Sequence, residues 1–414
     1  MKLNRILTLL LLGSILVGCG GSPTDPTRRS LPRSLSEQEI ELIASDNIFG
    51  LNLFRAIAEA EGDTNIFISP LSVSMALGMT LNGATGETYT AMQEALELAG
   101  LTEEEINQAY RSLIDLLTNL DPKVIFEIAN SIWYREDFNI SPTFVDVNQT
   151  YFDAVVRALD FSATGAAGII NQWVSNATHG KIEEIIKSPI SPATVMFLIN
   201  AIYFKGLWTY QFDSDDTVDG TFYVPGGATP SVPMMTMSDV TLPYYEGDWF
   251  EAVDMAYGDS CYSMTIILPK YGLGIGDVLP DLDQATWDEI VANLQHREFD
   301  TLKMPKWKLE YEITMNDVLT ALGMGIAFDA GLADFSRMRD DLSGGLFISK
   351  VKHKTFIEVD EKGTEAAAVT VVIMDLTSIG PSMVIDRPFI YVIRERHSGT
   401  ILFIGMVTDP SLSS

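Results

Sequence analysis

Residues 360–380, DEKGTEAAAVTVVIMDLTSIG, combine two different compositions in one segment. The first half is small and flexible, with Gly363, Thr364 and three consecutive alanines. Residues 369–374 have the branched, apolar composition of a buried strand, whereas 375–381 have the composition of an exposed loop. From composition alone, three readings stay open: a strand, a loop, or a segment that is both.

As a strand, this segment would place alternate side chains on opposite faces of a sheet. One face would carry Thr364, Ala366, Ala368, Thr370, Val372 and Met374, and the other Glu365, Ala367, Val369, Val371, Ile373 and Asp375. The small side chains of the first half would meet little steric resistance between neighbouring strands, and Gly363 allows the backbone to turn. Burial of residues 369–374 would contribute on the order of 10 kcal/mol.

The composition predicts a folded chain with a large core. Of its 414 residues, 47% are hydrophobic and 10% aromatic, and the formal net charge is −29. A chain this acidic lacks the basic surface that neutralises phosphates. Nucleic acid is therefore excluded as a partner.

The N-terminal sequence predicts export. Lys2 and Arg5 precede an apolar run over 6–17, which is too short to span a bilayer. The tetrapeptide LVGC at 16–19 resembles a bacterial lipobox, in which the cysteine carries the lipid. An ordinary secretory signal that is cut elsewhere is the alternative.

On the lipobox interpretation, residues 1–18 are a signal peptide and Cys19 is the lipid attachment site. Residues 19–35, rich in Gly, Ser, Pro and Thr, then form a flexible tether. We expect a protein anchored to a bacterial membrane, with the outer membrane or the cell surface favoured, and the lipid as its one membrane contact.

The second of the two cysteines is Cys261, which lies in a strand-like run. If Cys19 carries lipid, no disulfide can form. Cys261 is predicted to be a small buried hydrophobe, with a catalytic nucleophile as the less favoured alternative.

Hydrophobic periodicity and turn signals predict an α+β protein. A capping box at Ser36 and Glu39 starts the first helix. Further helices are predicted at 70–81, 86–98, 102–119, 142–150, 165–178 and 286–295. Strands are predicted at 124–134, 194–204, 221–224, 249–256, 262–268, 298–304, 346–360, 384–394 and 400–407.

The sequence offers no arrangement for enzyme chemistry. Its four histidines are scattered, and the HExxH, CxxC and GxSxG patterns are absent. The glycines at 272, 274 and 276 do not have the spacing of a dinucleotide-binding fingerprint. We therefore predict a protein that is not an enzyme and has no cofactor or metal.

Several separated stretches resemble the serpins, the serine protease inhibitor family. They are NIFISPLSVSMAL (65–77), NGATGET (82–88), NAIYFKGLW (200–208), VKH (351–353), EVDEKGTEAA (358–367), DRPFIY (386–391) and ILFIGMVTDP (401–410). The resemblance implies a single domain over 36–414 with a large central mixed sheet, two further sheets and about eight to nine helices. It also implies an exposed reactive loop over 361–381.

The resemblance assigns two polar clusters to the main sheet. A central cluster, beneath the point where strands part, comprises Ser69, Ser72, Asn200 and His353. An entry cluster, where insertion begins, comprises Trp208, Lys306 and Glu361. The hinge of the loop comprises Gly363, Thr364, Glu365, Ala366, Ala367 and Ala368.

The function implied by the resemblance is suicide-substrate inhibition of a serine protease. The protease would cut the loop, and insertion of the cut loop into the main sheet would trap the covalent acyl-enzyme. Cysteine proteases are further possible targets, and the inhibitor is expected to be a monomer. A non-inhibitory serpin that acts as a binding or chaperone-like protein is the alternative.

The spacing of the family's loop places the reactive bond at Thr377–Ser378, and a register shifted by one residue places it at Leu376–Thr377. Thr377 is small and uncharged, so an elastase-like protease is the expected target. Trypsin-like proteases are not expected, because no basic residue lies between Lys362 and Arg387.

Overall fold

Long helices dominate the first half of the chain and strands the second, which confirms the α+β prediction. The computed structural model describes residues 30–339, 345–364 and 381–412. The α-helices within them are α1 (Glu37–Glu61), α2 (Pro70–Leu81), α3 (Gly86–Ala95), α4 (Glu103–Leu117), α5 (Pro142–Phe152), α6 (Ala166–Ala177), α7 (Ile275–Val278), α8 (Gln284–Asn293) and α9 (Asn316–Leu319).

The first two helices begin at local sequence signals. The Ser36 hydroxyl accepts from the Glu39 N–H, and the Glu39 carboxylate accepts from the Ser36 N–H, so the predicted capping box starts α1. Helix α2 follows Ser69, whose hydroxyl accepts from the Ser72 N–H, and Pro70 occupies its first turn. Almost every residue of α2 is buried, so this helix lies inside the protein.

The strands form two sheets. They are β1 (Ile66–Ile68), β2 (Val124–Arg135), β3 (Val155–Leu159), β4 (Met196–Leu207), β5 (Val218–Thr221), β6 (Ser231–Glu246), β7 (Phe250–Tyr257), β8 (Tyr262–Pro269), β9 (Gln295–Pro305), β10 (Trp307–Thr314), β11 (Lys352–Asp360), β12 (Gly363–Thr364), β13 (Ser382–Val384), β14 (Phe389–Glu395) and β15 (Ile401–Val407).

The main sheet has six strands in the order β10-β11-β12-β4-β2-β3. It is mixed, as predicted, because β2 and β3 are parallel while the other pairs are antiparallel. Helix α6 packs on the outer face of β2 and β4 through a small apolar cluster that includes Trp133, Ile170, Val174 and Ile199.

Strand β6 joins the two further sheets that were predicted into one. Residues 234–244 of β6 pair with β9, and residues 244–246 pair with β7. The result is one nine-stranded sheet in the order β1-β15-β14-β8-β7-β6-β9-β13, with β5 paired to β6. A single long strand, which sequence reasoning missed, is the reason for this union.

Several strand and helix predictions were wrong in detail. Sequence reasoning missed β1, β3, β6, β10, α7 and α9, and it placed β5 three residues late. Pro233 and Pro243 lower the strand propensity of β6, but cross-strand pairing overrides it. The strand predicted at 384–394 is split in two around Pro388, which lacks an N–H for the ladder.

The predicted tether is shorter than expected at its C-terminal end. Leu31 and Leu35 pack against the main core, and Arg33 forms an ion pair with Glu39, with 2.6 Å between Nη2 and Oε1. These residues therefore belong to the folded body. In the described part of the chain, none of the helices is both long and apolar enough to cross a membrane.

Candidate functional site

The start of the predicted loop already lies inside the main sheet. Thr364 pairs with Val359 of β11 on one side and with Gly206 of β4 on the other, and Gly363 continues both ladders. Among the described residues, β11 and β4 pair with β12 and not with each other. We call the space between β4 and β11 the slot.

Gly363 is required by the geometry of this entry point. Its φ is +150°, and a Cβ at this position would lie 2.1 Å from the carbonyl oxygen of Gly206. Any other residue would therefore clash with the backbone of β4. The sequence indicated backbone freedom at Gly363, and the structure adds this close approach.

The structure brings the three residues of the entry cluster together around the turn that precedes β12. Lys306 Nζ lies 2.9 Å from Glu361 Oε2 and 3.1 Å from Oε1. The Thr217 hydroxyl donates to Glu361 Oε1 at 2.8 Å. Trp208 Nε1–H donates to the Asp360 carbonyl at 3.0 Å. Thr217 is a member that sequence reasoning missed.

The carboxylate of the entry cluster is held in its charged form. Burial by itself would raise the pKa of Glu361, but the Lys306 ammonium and the hydrogen bonds outweigh it, so the pKa lies below its ordinary value. The Lys306 side chain is 37% exposed, so solvent screens the ion pair. The pair orients the turn more than it stabilises the fold.

The central cluster is brought together only in part. The Ser69 N–H donates to His353 Nε2 at 3.0 Å, and the Ser69 hydroxyl donates to the Leu402 carbonyl at 2.7 Å. The Ser72 hydroxyl reaches the backbone carbonyl of Asn200 at 3.4 Å. His353 and Asn200 lie on β11 and β4, on opposite sides of the slot.

His353 is neutral in this arrangement. Its Nε2 accepts a hydrogen bond, and burial lowers the pKa of His353 to about 4. The Asn200 side-chain amide donates to Asn130 Oδ1 at 2.8 Å, on the neighbouring strand β2. No hydrogen bond among the described residues joins His353 to Asn200, so the cluster does not hold β4 and β11 together.

A cavity of about 660 Å³ adjoins the central cluster. It lies between β4 and β11 and extends beneath them to α2 and to the segment that follows α6. Residues from each side line it, among them Ser72, Leu198, Asn200, His353, Thr355 and Phe403. Among the described residues, β4 and β11 do not pair along this cavity, so the main sheet is parted there.

Tyr257 is a second residue that sequence reasoning missed. It is fully buried, and its hydroxyl lies 2.8 Å from Thr364 Oγ1. The two residues are 107 positions apart. Neither spacing nor periodicity could have paired them, because Tyr257 belongs to the other sheet.

Cys261 is buried, as predicted for a small hydrophobic residue, and its thiol donates to the Leu120 carbonyl at 3.7 Å. No group of three or more His, Cys, Asp or Glu side chains in the described ranges is placed to hold a metal ion.

Several predicted residues lie outside the described residues. They are the signal peptide with Cys19, the hinge residues Glu365, Ala366, Ala367 and Ala368, and the reactive-bond residues Leu376, Thr377 and Ser378.

Comparisons with known proteins agree with the resemblance noted in the sequence. The family model "Serpin (serine protease inhibitor)" matches residues 44–410. Iripin-8 of Ixodes ricinus is 33% identical over 387 residues, covering 90% of this chain and 94% of that protein. Leukocyte elastase inhibitor A of Mus musculus is 32% identical, covering 89% of this chain and 100% of that protein.

Solved structures show the same fold. Human thyroxine-binding globulin superposes with a TM-score of 0.82 at 30% identity, covering 90% of this chain and 99% of that chain. The thermophilic serpin tengpin in its native state superposes with a TM-score of 0.81 at 32% identity, covering 91% of this chain and 95% of that chain.

Intracellular coagulation inhibitor 2 of Tachypleus tridentatus is 34% identical, covering 88% of this chain and 90% of that protein. These curated relatives are eukaryotic, so they do not support the predicted bacterial lipoprotein, which stays a prediction. The matched length, the fold and the identity agree on one conclusion: the chain belongs to the serpin family.

Proposed function

We propose that this chain is an inhibitory serpin that traps a serine protease as a covalent acyl-enzyme. Gly363 and Thr364 already occupy the main sheet at the head of the slot, and this is the observation that carries the proposal. The sheet is parted below them, along the path that the rest of the cut loop would follow. Curated relatives whose names identify them as inhibitors support the same conclusion.

In the proposed reaction, the protease serine attacks the carbonyl carbon of Thr377. The serine proton passes to the protease histidine and then to the departing amine of Ser378, which leaves Thr377 bound as an ester. Insertion of thirteen residues would advance the attached protease by about 43 Å at roughly 3.3 Å per residue. Dragging the protease this far distorts its oxyanion hole, so water no longer releases the ester.

The expected targets are proteases with a shallow, apolar specificity pocket of the elastase kind. Cleavage at Leu376–Thr377 would instead suit chymotrypsin-like or subtilisin-like enzymes. Cysteine proteases are a further class to test, because they form a thioester at the same position.

Incubation with a panel of proteases tests the proposal. An inhibitory serpin forms a complex that survives boiling in detergent, and mass spectrometry of the released C-terminal fragment identifies the bond. A fragment that starts at Ser378 supports the first register, and one that starts at Thr377 supports the second. Simple cleavage by every protease, without a stable complex, would favour the non-inhibitory alternative, a binding or chaperone-like serpin.

We also propose that Cys19 carries lipid and anchors the exported protein to a membrane. The motif at 16–19 supports this, and two or more acyl chains give durable attachment. The replacement Cys19→Ala should move the protein from the membrane fraction to the soluble one. An unchanged membrane fraction would argue for a different mode of attachment or for a cleaved secretory signal.

A further inference from the structure

Tyr257, the last residue of β7, lies at the point where β12 enters the main sheet. Its ring stacks on Trp208, with 4.3 Å between ring centroids and 13° between planes. Trp208 in turn donates its indole N–H to the Asp360 carbonyl and its backbone N–H to the Lys362 carbonyl. One aromatic stack therefore contacts the turn before β12 and, through the Tyr257 hydroxyl, Thr364 itself.

The backbone holds the Tyr257 ring in place independently of the loop. The Gly258 N–H donates to the Leu207 carbonyl, and the Thr209 N–H donates to the Ala256 carbonyl, both at 2.8 Å. These bonds join the end of β7 to the end of β4. The backbone of β4 and β7 thus fixes the phenol without help from β12, so little conformational freedom is lost when it bonds to Thr364.

A glycine on β4 makes room for this ring. A Cβ at Gly206 would lie 2.9 Å from Tyr257 Cδ1, so the ring fills the space that a side chain would take. Gly206 is also the residue that pairs with Thr364. Gly206 thus lies against both the Tyr257 ring, which belongs to the nine-stranded sheet, and the backbone of Thr364 in the main sheet.

The hydrogen bond between Tyr257 and Thr364 joins two buried hydroxyls. Both residues are at most 3% exposed, and burial raises the pKa of Tyr257 well above its ordinary value, so the phenol stays neutral. Within the described residues, Thr364 is the hydrogen-bond partner of this phenol. Withdrawal of Thr364 would leave a buried hydroxyl unsatisfied, which disfavours the withdrawn state.

We infer that Tyr257 is a positioning residue that holds Thr364 in the main sheet and so favours loop insertion over hydrolysis of the acyl-enzyme. This inference rests on the proposed inhibitory function. With Thr364 held in place, insertion of the residues that follow continues from a fixed starting point. It leaves cleavage of the reactive bond unchanged, because Tyr257 is buried beneath the sheet and does not contact the protease.

The first experiment compares Tyr257→Phe with the wild type against an elastase-type serine protease. Loss of the hydroxyl should lower the ratio of trapped to hydrolysed acyl-enzyme by about tenfold. This factor corresponds to the free energy of one buried hydrogen bond. The rate of loop cleavage should not change. Tyr262→Phe is the matched control, because Tyr262 is equally buried and donates to the Leu117 carbonyl, away from the hinge.

A double-mutant cycle identifies the partner. Thr364→Val removes the second hydroxyl and keeps the side-chain shape, so it should reproduce the effect of Tyr257→Phe. The double variant should show no further loss, because the same hydrogen bond is already absent. Additive losses, or an equal loss in Tyr262→Phe, would overturn the inference in favour of general destabilisation.

Loop insertion can also be measured without an acyl-enzyme, and this measurement separates the inference from the proposed function. A zinc metalloprotease cuts the loop by means of metal-activated water, and the rate at which the cut protein becomes heat-resistant reports insertion. Slower conversion of Tyr257→Phe than of wild type supports the inference. Equal rates overturn the inference alone, whereas a wild type that never becomes heat-resistant overturns loop insertion and, with it, both proposals.

Discussion

The two parts of the slot between β4 and β11 are held in different ways. At the entry cluster, β12 closes the gap with backbone hydrogen bonds on both sides, a buried hydroxyl pair and the ion pair of Glu361 with Lys306. At the central cluster, the flanking side chains bond to α2 and to neighbouring strands, and a cavity of about 660 Å³ lies between them.

The entry part and the central part of the slot place different requirements on a strand that enters it. The entry point accepts one backbone geometry and is closed to side chains at Gly363 and Gly206. In the central part, Ser69 is hydrogen-bonded to His353 and to a backbone carbonyl of β15. No hydrogen bond among the described residues joins His353 to Asn200, so admitting a strand between them breaks few hydrogen bonds. On the proposed function, the entry point would control whether insertion starts, and the central cluster would let it continue.

The largest effect is expected from Gly363→Ala. The added Cβ would meet the Gly206 carbonyl oxygen, so β12 could not form in this register, at a cost of more than about 3 kcal/mol. We expect loss of the detergent-stable protease complex, measured by gel electrophoresis. Gly272→Ala is the control, because its φ is also positive, at +89°, but nothing lies within 4 Å. If the Gly363→Ala variant remained fully inhibitory, the entry point would not control whether insertion starts.

The next largest effect is expected from Thr364→Arg, which would place a charge on the buried face of the sheet. Because Thr364 is 3% exposed, the variant should behave as a substrate, and the number of inhibitor molecules used per protease should rise at least about tenfold. Titration of protease activity measures this number. Thr221→Arg adds the same charge at an exposed position of β5 and should leave the number unchanged.

The buried His353 of the central cluster should make the free energy of unfolding depend on pH. The pKa of His353 is about 4 in the folded protein, against an ordinary value of 6.5, so the unfolded chain binds the extra proton between these limits. The free energy of unfolding should therefore fall as pH drops from about 6.5 to about 4, by up to about 3 kcal/mol.

Urea titrations of His353→Gln across this pH range test the assignment. The variant should be less stable at pH 7 and should lack most of the decline. The exposed His296→Gln variant serves as the control and should retain it. An equal decline in the His353→Gln variant would show that another group is responsible.

The smallest effect is expected from Glu361→Gln. The folded pKa of Glu361 is lowered, so its contribution is present above the unfolded pKa and is lost as pH falls through the folded pKa. Since Lys306 is partly exposed, we expect a loss of about 1 kcal/mol at neutral pH, seen as a lower melting temperature.

Glu103→Gln is the control, because it breaks an ion pair away from the slot, with Arg337, whose side chain is about as exposed as that of Lys306. It should lose comparable stability without changing the number of inhibitor molecules used per protease. If Glu361→Gln and Glu103→Gln changed the number of inhibitor molecules used per protease to a similar extent, the ion pair of Glu361 with Lys306 would have no role of its own in inhibition.

Much of the fold could be predicted from local signals. The capping box at Ser36 and the long helices of the first half follow from hydrogen bonds and apolar faces formed within a few residues. The small side chains of 363–368 and the resemblance at 65–77 and 200–208 pointed to the part of the chain that forms the slot. Strand β10 was missed although Trp307, Leu309 and Tyr311 alternate with charged residues, a signal that was present in the sequence.

The amino-acid sequence was sufficient to predict the α+β class and backbone freedom at Gly363, and its resemblance to the family predicted the members of the two clusters. The folded chain was needed to show that β6 unites two sheets and that His353 and Asn200 lie apart across a cavity. It was needed also to show that Tyr257 meets Thr364. The physical reason is range: caps and alternating faces arise between near neighbours, whereas these contacts depend on the register of strands far apart in the chain.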